Sequence, residues 1–258
     1  MTLSFARRGR LLFFGGLLAS SLAYGSGTEK REPRYDIPRL DHSYTLWNTL
    51  LVKSISDTKG DGFDFNNIKA VQTELKKELV VFQSVSLSEY TGFSREQKMS
   101  FLINAHNILF INAALESADP SSFTGFNPDH KIDILGESYS QELFITKHVR
   151  RGIADPKGYF ALFCLRKKCP ELYREAVTPE KVDSQLREII SLFFSDKKKN
   201  YYSVKKKTLF LSPLIKEYEN EIVRVSGYVS AFVSDFVFSD PKLRRMAQVG
   251  KIKIKYLD

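Results

Sequence analysis

Cysteine and histidine are both scarce in this chain, which limits the chemistry that the sequence allows. Its 258 residues include only six such side chains: Cys164, Cys169, His42, His106, His130 and His148. The histidines show no H-x3-H or comparable spacing, whereas a zinc site needs three or four ligands that converge. The sequence therefore predicts neither a metal site nor a cofactor.

Signatures of nucleic-acid recognition are also missing. The formal net charge is +9, but lysines and arginines are scattered among acidic residues rather than gathered in one block. No zinc-finger spacing and no aromatic-rich RNA-binding motif accompanies them. We therefore expect no nucleic-acid partner, and interpret the charge as a source of solubility or of weak attraction to anionic polymers and lipid surfaces.

A third absence is an apolar run long enough to span a membrane. The run LLFFGGLLASSLAYG follows three arginines, and it is shorter than the ~20 residues that a spanning helix needs. A basic start, a short apolar run and small residues are together typical of a secretory signal peptide. Ser21-Leu22-Ala23 predicts cleavage near Ala23, export to the periplasm or the medium, and a mature chain without a transmembrane segment. The alternative is a membrane anchor that stays uncleaved.

The remainder of the chain is predicted to form one domain. The composition, 43% hydrophobic and 27% charged, is typical of a globular protein. After the signal peptide at 1–23, residues 24–38 are polar and contain glycine and proline, which predicts a linker. Residues 39–258 are predicted to form a single α+β domain, in which a buried central helix packs on a mostly antiparallel sheet. A papain-like architecture is one broad form of such a domain.

The central helix is predicted over residues 95–116. Ser94 and Gln97 form a capping-box pattern, and the sequence KMSFLINAHNILFINAALES then continues without glycine or proline. Asn104 and Asn107 are three residues apart, so both amides lie on one face, which we expect to point toward the segment that contains His148. The amides either tie the helix to a neighbouring loop or orient a catalytic side chain or a substrate.

The cysteines follow a short apolar segment, GYFALFC, which is predicted to be a core strand over residues 158–163 that delivers Cys164 to its end. The sequence RKKCP then predicts a turn. Thr178, with Pro179 after it, is predicted to open a helix that continues to about Phe194. A hairpin is predicted in KKKNYYSVKKKTLFLSP, a helical region broken at Gly227 follows, and KIKIKYLD is predicted to be a terminal strand.

The chemistry of the two cysteines depends on local geometry. A straight strand would separate their Cα atoms by ~16 Å, beyond the ~4.4–6.8 Å that a disulfide allows. A turn between them would permit the bond, which is favoured in an oxidising compartment. The alternatives are a catalytic Cys164 thiolate and a buried free thiol.

Two of these segments together resemble the domain-of-unknown-function family numbered 547. FLINAHN, residues 101–107, is similar to the family's F-W-I-N-A-Y-N helix, and DPKGYFALFCLRKKCPEL is similar to its D-P-R-x-H-F-A-L-x-C-x4-C-P stretch. The resemblance covers roughly residues 40–258. It implies a mixed α and β fold and no established reaction.

The resemblance also implies which polar positions matter. The family's polar positions fall on Asn104, Asn107, His148, an arginine at Arg150 or Arg151, Cys164 and Cys169. Two positions depart from the family pattern: His106 stands where the family usually has tyrosine, and Tyr159 where it often has histidine.

Three functions stay open from the sequence. In a cysteine-dependent hydrolase or acyl transferase, Cys164 would be the nucleophile, His148 the base and Asn104 the residue that orients the imidazole. In a binding module, a polar cleft around Asn104, Asn107, His148 and Cys164 would hold a peptide-like or anionic envelope ligand. The ligand-binding residues expected there are Asn107, His106, Arg150, Arg151 and Tyr159. In a structural envelope protein, these polar groups would only satisfy one another. A catalytic cysteine must be reduced and accessible, which separates the first function from the others.

Overall fold

The computed structural model describes residues 39–55, 64–117, 123, 131–153, 155–166 and 168–257. The predicted signal peptide at 1–23, the predicted linker at 24–38 and His130 lie outside these residues. Residues Ile37–Asp258 form one compact unit. Its helices and small sheets make up a single α+β domain, as the sequence predicted.

Helices account for most of the described residues. The α-helices are α1 Thr45–Ser54, α2 Phe65–Ala70, α3 Gln72–Ser84, α4 Leu87–Gly92, α5 Arg95–Glu116, α6 Gln141–Phe144, α7 Arg150–Gly152, α8 Val182–Ser195, α9 Pro213–Glu217, α10 Glu219–Ser226, α11 Val229–Val237 and α12 Pro241–Gln248. A π-helical turn, Ile145–Val149, joins α6 to α7, and a 3₁₀ helix, Pro156–Ala161, follows α7. No helix in this part of the chain is long and apolar enough to cross a membrane.

The strands form two small sheets. They are β1 Lys131–Ile134, β2 Glu137–Ser140, β3 Tyr201–Ser203, β4 Thr208–Leu211 and β5 Lys253–Tyr256. β1 and β2 form an antiparallel hairpin with Ile132 opposite Tyr139. In the other sheet β4 lies between the two remaining strands, antiparallel to β3 and parallel to β5. This sheet confirms the predicted hairpin and the predicted terminal strand.

The central helix α5 has the predicted bounds and is buried on all sides along residues 99–114. Its first turn is stabilised by the predicted capping box, because Ser94 Oγ accepts from Gln97 N while Gln97 Oε1 accepts from Ser94 N. Its main packing partners are helical: α3, α7, α8, the π-helical turn and the 3₁₀ helix. Helices rather than strands therefore make most of the contacts around α5 within this α+β domain.

The apolar segment before Cys164 is a 3₁₀ helix rather than the predicted strand. Asp155 Oδ1 accepts from Lys157 N at 2.9 Å, and Pro156 occupies the first helical position. Both features start a helical turn, and a short apolar run alone does not distinguish a buried strand from a buried helix. The segment is nevertheless buried, as predicted.

Two further boundaries concern the carboxyl-terminal half. α8 begins at Val182, so residues 178–181 form a turn before the helix rather than its predicted first turn. The predicted break at Gly227 is confirmed, because this glycine ends α10 with a φ of 75°. That backbone conformation favours glycine over any residue with a Cβ.

Candidate functional site

Cys164 and Cys169 form a disulfide, with their Cα atoms 5.8 Å apart. The chain bends between them, since Cys169 N donates to the carbonyl of Arg166 at 2.9 Å. The predicted turn therefore brings the two sulfurs together, although no strand precedes it. With both sulfurs in the bond, neither is the thiolate that nucleophilic catalysis requires.

The loop closed by the disulfide is anchored to α9. Lys168 and Arg166 both pair with the carboxylate of Glu217, Arg166 at 3.8 Å. At the other end of α9, Ser212 Oγ donates to the carbonyl of Lys168 at 2.9 Å. The disulfide loop is thus fixed to the start and to the end of one short helix.

Asn104 ties α5 to the chain after the disulfide. Its Nδ2 donates to the carbonyl of Val177 at 2.7 Å, and its Oδ1 accepts from the amide of Val177 at 3.1 Å. The side chain is 1% exposed, so these bonds satisfy an amide that burial would otherwise destabilise. Asn104 therefore binds a backbone segment and does not contact His148.

Asn107 ties α5 to the chain before the disulfide. Its Nδ2 donates to the carbonyl of Ala161 at 2.9 Å, and its Oδ1 accepts from the amide of Phe163 at 2.9 Å. Together with Asn104, it holds both ends of the segment 161–177. These contacts agree with the alternative in which the amides tie the helix to neighbouring loops. The expected orientation of the two amides toward the His148 segment is wrong.

His106 lies beside Asn107 in the core. Its Nδ1 is 3.1 Å from Asn107 Oδ1, and because that oxygen can only accept, Nδ1 carries the hydrogen and donates. The ring is 7% exposed. Burial lowers the pKa of His106 to about 4, an effect that the bond to Asn107 opposes only in part. His106 is therefore neutral at pH 7.

His148 lies on the π-helical turn between α6 and α7. Its ring packs edge-on against Tyr139, with centroids 5.0 Å apart, and lies near Phe144. Burial, followed by the positive charge of Lys147, lowers the pKa of His148. Its Nε2 is buried without a hydrogen-bond partner in the part of the chain that the structure describes. Among the described residues, no hydrogen bond, ion pair or ring contact joins His148 to Cys164.

Arg150, on α7, reaches across to α9 and α10. Its Nη1 is 3.4 Å from Glu221 Oε1, and its Nη2 donates to the carbonyl of Glu217 at 3.5 Å. Its guanidinium carbon lies 5.4 Å from the centre of the Tyr218 ring, within the range of a cation–π interaction. Its Nε is buried and has no hydrogen-bond partner within the described ranges.

Tyr159 contacts both Arg150 and its ring partner Tyr218. Its ring stacks on Tyr218 with centroids 4.5 Å apart and planes 7° from parallel. Its hydroxyl donates to the carbonyl of Arg150 at 3.0 Å. The side chain is only 1% exposed, so Tyr159 positions the arginine and does not itself face a ligand.

Arg150 lines a pocket of about 580 Å³ between α7 and α10. Six residues line it: Arg150, Arg151, Ile153, Asn220, Glu221 and Arg224. Three arginines and one glutamate line it, so the pocket carries a net positive charge. The residues from α10 were not predicted from the sequence, because helical periodicity shows which face is polar but not what that face meets.

A second pocket, of about 460 Å³, lies between residues 170–175 and the second half of α8. Its charged side chains are mainly acidic: Glu171, Glu175, Glu188 and Asp196, with Arg174 and Lys199. None of the residues predicted from the sequence lines it. Elsewhere in the described ranges, no group of three or more His, Cys, Asp or Glu residues is placed to hold a metal ion.

Comparisons with known proteins found one match. Residues 90–194 match the family described as "Protein of unknown function, DUF547". This range contains α5, both cysteines and all the site residues predicted from the sequence, while the α10 side of the arginine pocket lies beyond it. No curated protein matches the chain, and no solved structure does, so a papain-like architecture stays a prediction. The chain is thus similar, over residues 90–194, to the DUF547 family.

Proposed function

We propose that this protein binds an anionic ligand in the arginine pocket formed by α7 and α10. The supporting observation is the convergence of Arg150, Arg151 and Arg224 on one pocket that contains a single carboxylate, Glu221. A pocket of about 580 Å³ is within the size range of small-molecule sites. Guanidinium groups match carboxylates and phosphates because each offers two parallel N–H donors.

Arg150 is the main contact that we assign to the ligand. Its backbone carbonyl accepts a hydrogen bond from Tyr159, and its guanidinium lies over the ring of Tyr218. Because the side chain is already held in place, it loses little conformational freedom when a ligand binds. The bond to Glu221 is long, at 3.4 Å. An incoming anion competes with Glu221 for the guanidinium, so the site favours a ligand with a phosphate or with two carboxylates over a single carboxylate.

Titration calorimetry with inorganic phosphate and with citrate tests this proposal. Arg224→Gln should weaken binding of both about tenfold, because it removes one of three cationic groups, each worth ~1.5 kcal/mol in a charged hydrogen bond. Glu221→Gln should strengthen binding, because it removes the competing carboxylate. Arg187→Gln, an exposed arginine on α8, makes the same change in net charge and should leave binding unchanged.

Two outcomes would refute the arginine pocket. One is the absence of saturable heat with either anion. The other is equal weakening by Arg224→Gln and Arg187→Gln, which would show that only the net charge matters.

We also propose that the protein acts outside the cytoplasm. The arginine-rich start, the short apolar run and Ser21-Leu22-Ala23 support export. Cell fractionation followed by amino-terminal sequencing tests this, and we expect a mature chain that starts near Tyr24. A cytoplasmic protein that still begins at Met1 would contradict it.

A further inference from the structure

One end of the three-stranded sheet carries an exposed group of lysines that the arginine pocket does not use. The turn between β3 and β4 contributes Lys205, Lys206 and Lys207. β5 runs parallel to β4, with Lys253 beside Thr208, so Lys251 and Lys253 lie at the same end of the sheet. These five exposed lysines are called the lysine tip below.

Among the described residues, the lysine tip has no acidic partner. Residues 197–216 and 241–257 contain no aspartate or glutamate. Within the part of the chain that the structure describes, none of the five lysines forms an ion pair. The lysines that look scattered along the sequence are thus gathered by the fold into one positive surface, and a partner with many negative charges would neutralise it.

An apolar side chain lies among these charges. Val204 starts the turn and is 77% exposed, the highest value among the large exposed hydrophobic residues. A valine surrounded by lysines suits the boundary between lipid headgroups and acyl chains, where apolar groups are buried while ammonium groups stay near phosphates.

The aromatic rings on the same face of the sheet favour lipid over single-stranded nucleic acid. Tyr201 and Phe210 stack on each other, with centroids 4.9 Å apart and planes 9° from parallel. The ammonium of Lys206 lies 5.4 Å from the centre of the Phe210 ring, and Phe210 is only 7% exposed. Bases of a bound strand need open ring faces on which to stack. The Phe210 ring offers none, and Tyr201, although 36% exposed, has one face covered by Phe210.

We propose that the lysine tip is a docking surface for an anionic lipid bilayer, with Val204 entering the headgroup region. Lysines supply the attraction as point charges, which need no fixed geometry. This surface is independent of the arginine pocket. Binding at the lysine tip would hold the protein at a membrane without a transmembrane helix.

Co-sedimentation with vesicles of phosphatidylcholine alone, and of phosphatidylcholine mixed with phosphatidylglycerol, tests the proposal. The wild-type protein should bind the mixed vesicles at low salt and lose binding at high salt. Each lysine near an anionic surface contributes about fivefold to binding, so the triple variant Lys205→Gln, Lys206→Gln, Lys207→Gln should bind about a hundredfold more weakly. Val204→Ser should also weaken binding.

The controls remove equal charge or equal apolar surface elsewhere. Lys53→Gln, Lys69→Gln and Lys77→Gln together change exposed lysines of α1, α2 and α3, and Val52→Ser changes a valine that is 61% exposed. All variants carry the same residues 1–23, so the apolar run in that segment contributes equally to vesicle binding in each of them. The series is repeated on protein that starts at Tyr24, which lacks this run. Equal losses in the two triple variants would overturn the proposal. So would binding of a single-stranded oligonucleotide that displaces the vesicles.

Discussion

At the scale of single residues, two asparagines on α5 determine how the disulfide segment meets the core. Asn104 pairs with both backbone groups of Val177, and Asn107 pairs with the carbonyl of Ala161 and the amide of Phe163. An amide side chain presents one donor and one acceptor side by side, as a backbone does. It can therefore take the place of a strand partner for a segment that belongs to no sheet.

Replacement of Asn107 by leucine should destabilise the protein. Asn107→Leu leaves the carbonyl of Ala161 and the amide of Phe163 without this partner in the core, and each such group costs about 1–3 kcal/mol. We expect the free energy of unfolding, measured in urea, to fall by roughly 2–6 kcal/mol.

The matched control is Asn112→Leu on the same helix. Asn112 is also buried, but its Oδ1 has no hydrogen-bond partner among the residues that the structure describes. A leucine there removes an unsatisfied acceptor and should leave stability unchanged or raised. Similar losses in the two variants would mean that the hydrogen bonds of Asn107 contribute nothing beyond packing.

His106 should make stability depend on pH. Burial lowers its pKa from the ordinary value of 6.5 to about 4 in the folded protein. The unfolded chain therefore binds more protons between these values, and the folded protein loses stability as the pH falls from about 6.5 to about 4. The contribution of this histidine is fully present above pH 6.5.

The measurement is the difference in unfolding free energy between the wild type and His106→Gln across this pH range. The difference is needed because Glu78 acts in the opposite direction. Burial raises the pKa of Glu78 to about 7, so its contribution to the stability of the folded protein falls as the pH rises. We expect the wild type to lose about 3 kcal/mol more than His106→Gln between pH 6.5 and pH 4. Parallel pH profiles would show that His106 titrates normally.

At the scale of elements, α7 packs against α5 through a glycine, Gly152. A Cβ at Gly152 would come within 2.2 Å of Leu102 Cδ1 and 2.9 Å of Tyr90 Oη. The glycine thus allows α7 to approach the central helix, and α7 carries two of the three arginines of the pocket.

Gly152→Ala should therefore separate these two helices. Insertion of a methyl group into a packed core costs typically ~1–3 kcal/mol, so the melting temperature should fall. Anion binding in the arginine pocket should weaken with it, because Arg150 and Arg151 move with α7. Gly92→Ala is the matched control, since a Cβ there meets nothing within 4 Å. A variant of Gly152 as stable as that control would show that Leu102 and Tyr90 adjust without cost.

The elements that local chemistry specifies were predictable from the sequence, and the contacts between distant segments were not. The bounds of α5 follow from the capping box at Ser94 and from a run without glycine or proline. The 3₁₀ helix before Cys164 was missed because a short apolar run has no period that separates strand from helix. The partners of Asn104 and Asn107 are 54 to 73 residues away in sequence, so nothing local could identify them.

The same distinction applies to the site. The residues predicted for a thiol mechanism were chosen by type, and the fold places His148 against Tyr139, apart from Cys164. Arg150 and Arg151 were predicted as ligand-binding residues, and the structure places both at one pocket. Glu221 and Arg224 complete that pocket from α10, a helix whose position depends on tertiary packing and not on its own sequence.

At the scale of the whole molecule, the disulfide loop links the core to the arginine pocket. Asn107 holds the chain just before Cys164. Inside the loop, Lys168 pairs with the carboxylate of Glu217, and the carbonyl of Glu217 accepts from Arg150. A continuous series of contacts therefore runs from α5 through the disulfide loop to the guanidinium that we assign to the anion.

Loss of the disulfide should consequently weaken anion binding without abolishing it. In the double variant Cys164→Ser, Cys169→Ser the loop is free to move, so Lys168 and Arg166 no longer fix Glu217. Mutations along such networks change coupling by about 0.5–2 kcal/mol, which corresponds to a loss of roughly 2- to 30-fold in affinity for phosphate or citrate. Glu217→Gln, which keeps the disulfide and the backbone carbonyl but removes the ion pairs, should show a loss of the same order.

The thiol state is checked first on the wild-type protein. Alkylation without reductant followed by mass spectrometry should find no modified cysteine, and two alkylated thiols would show that the bond is absent. Calorimetry on the oxidised protein, on protein reduced with a dithiol and alkylated, and on the double variant then completes the experiment. Equal affinity in all three would separate the disulfide from the arginine pocket, whereas no binding even in the oxidised protein would reject the pocket itself. Weakening by reduction together with normal binding in Glu217→Gln would mean that the loop acts on Arg150 by a route other than the two ion pairs to Glu217.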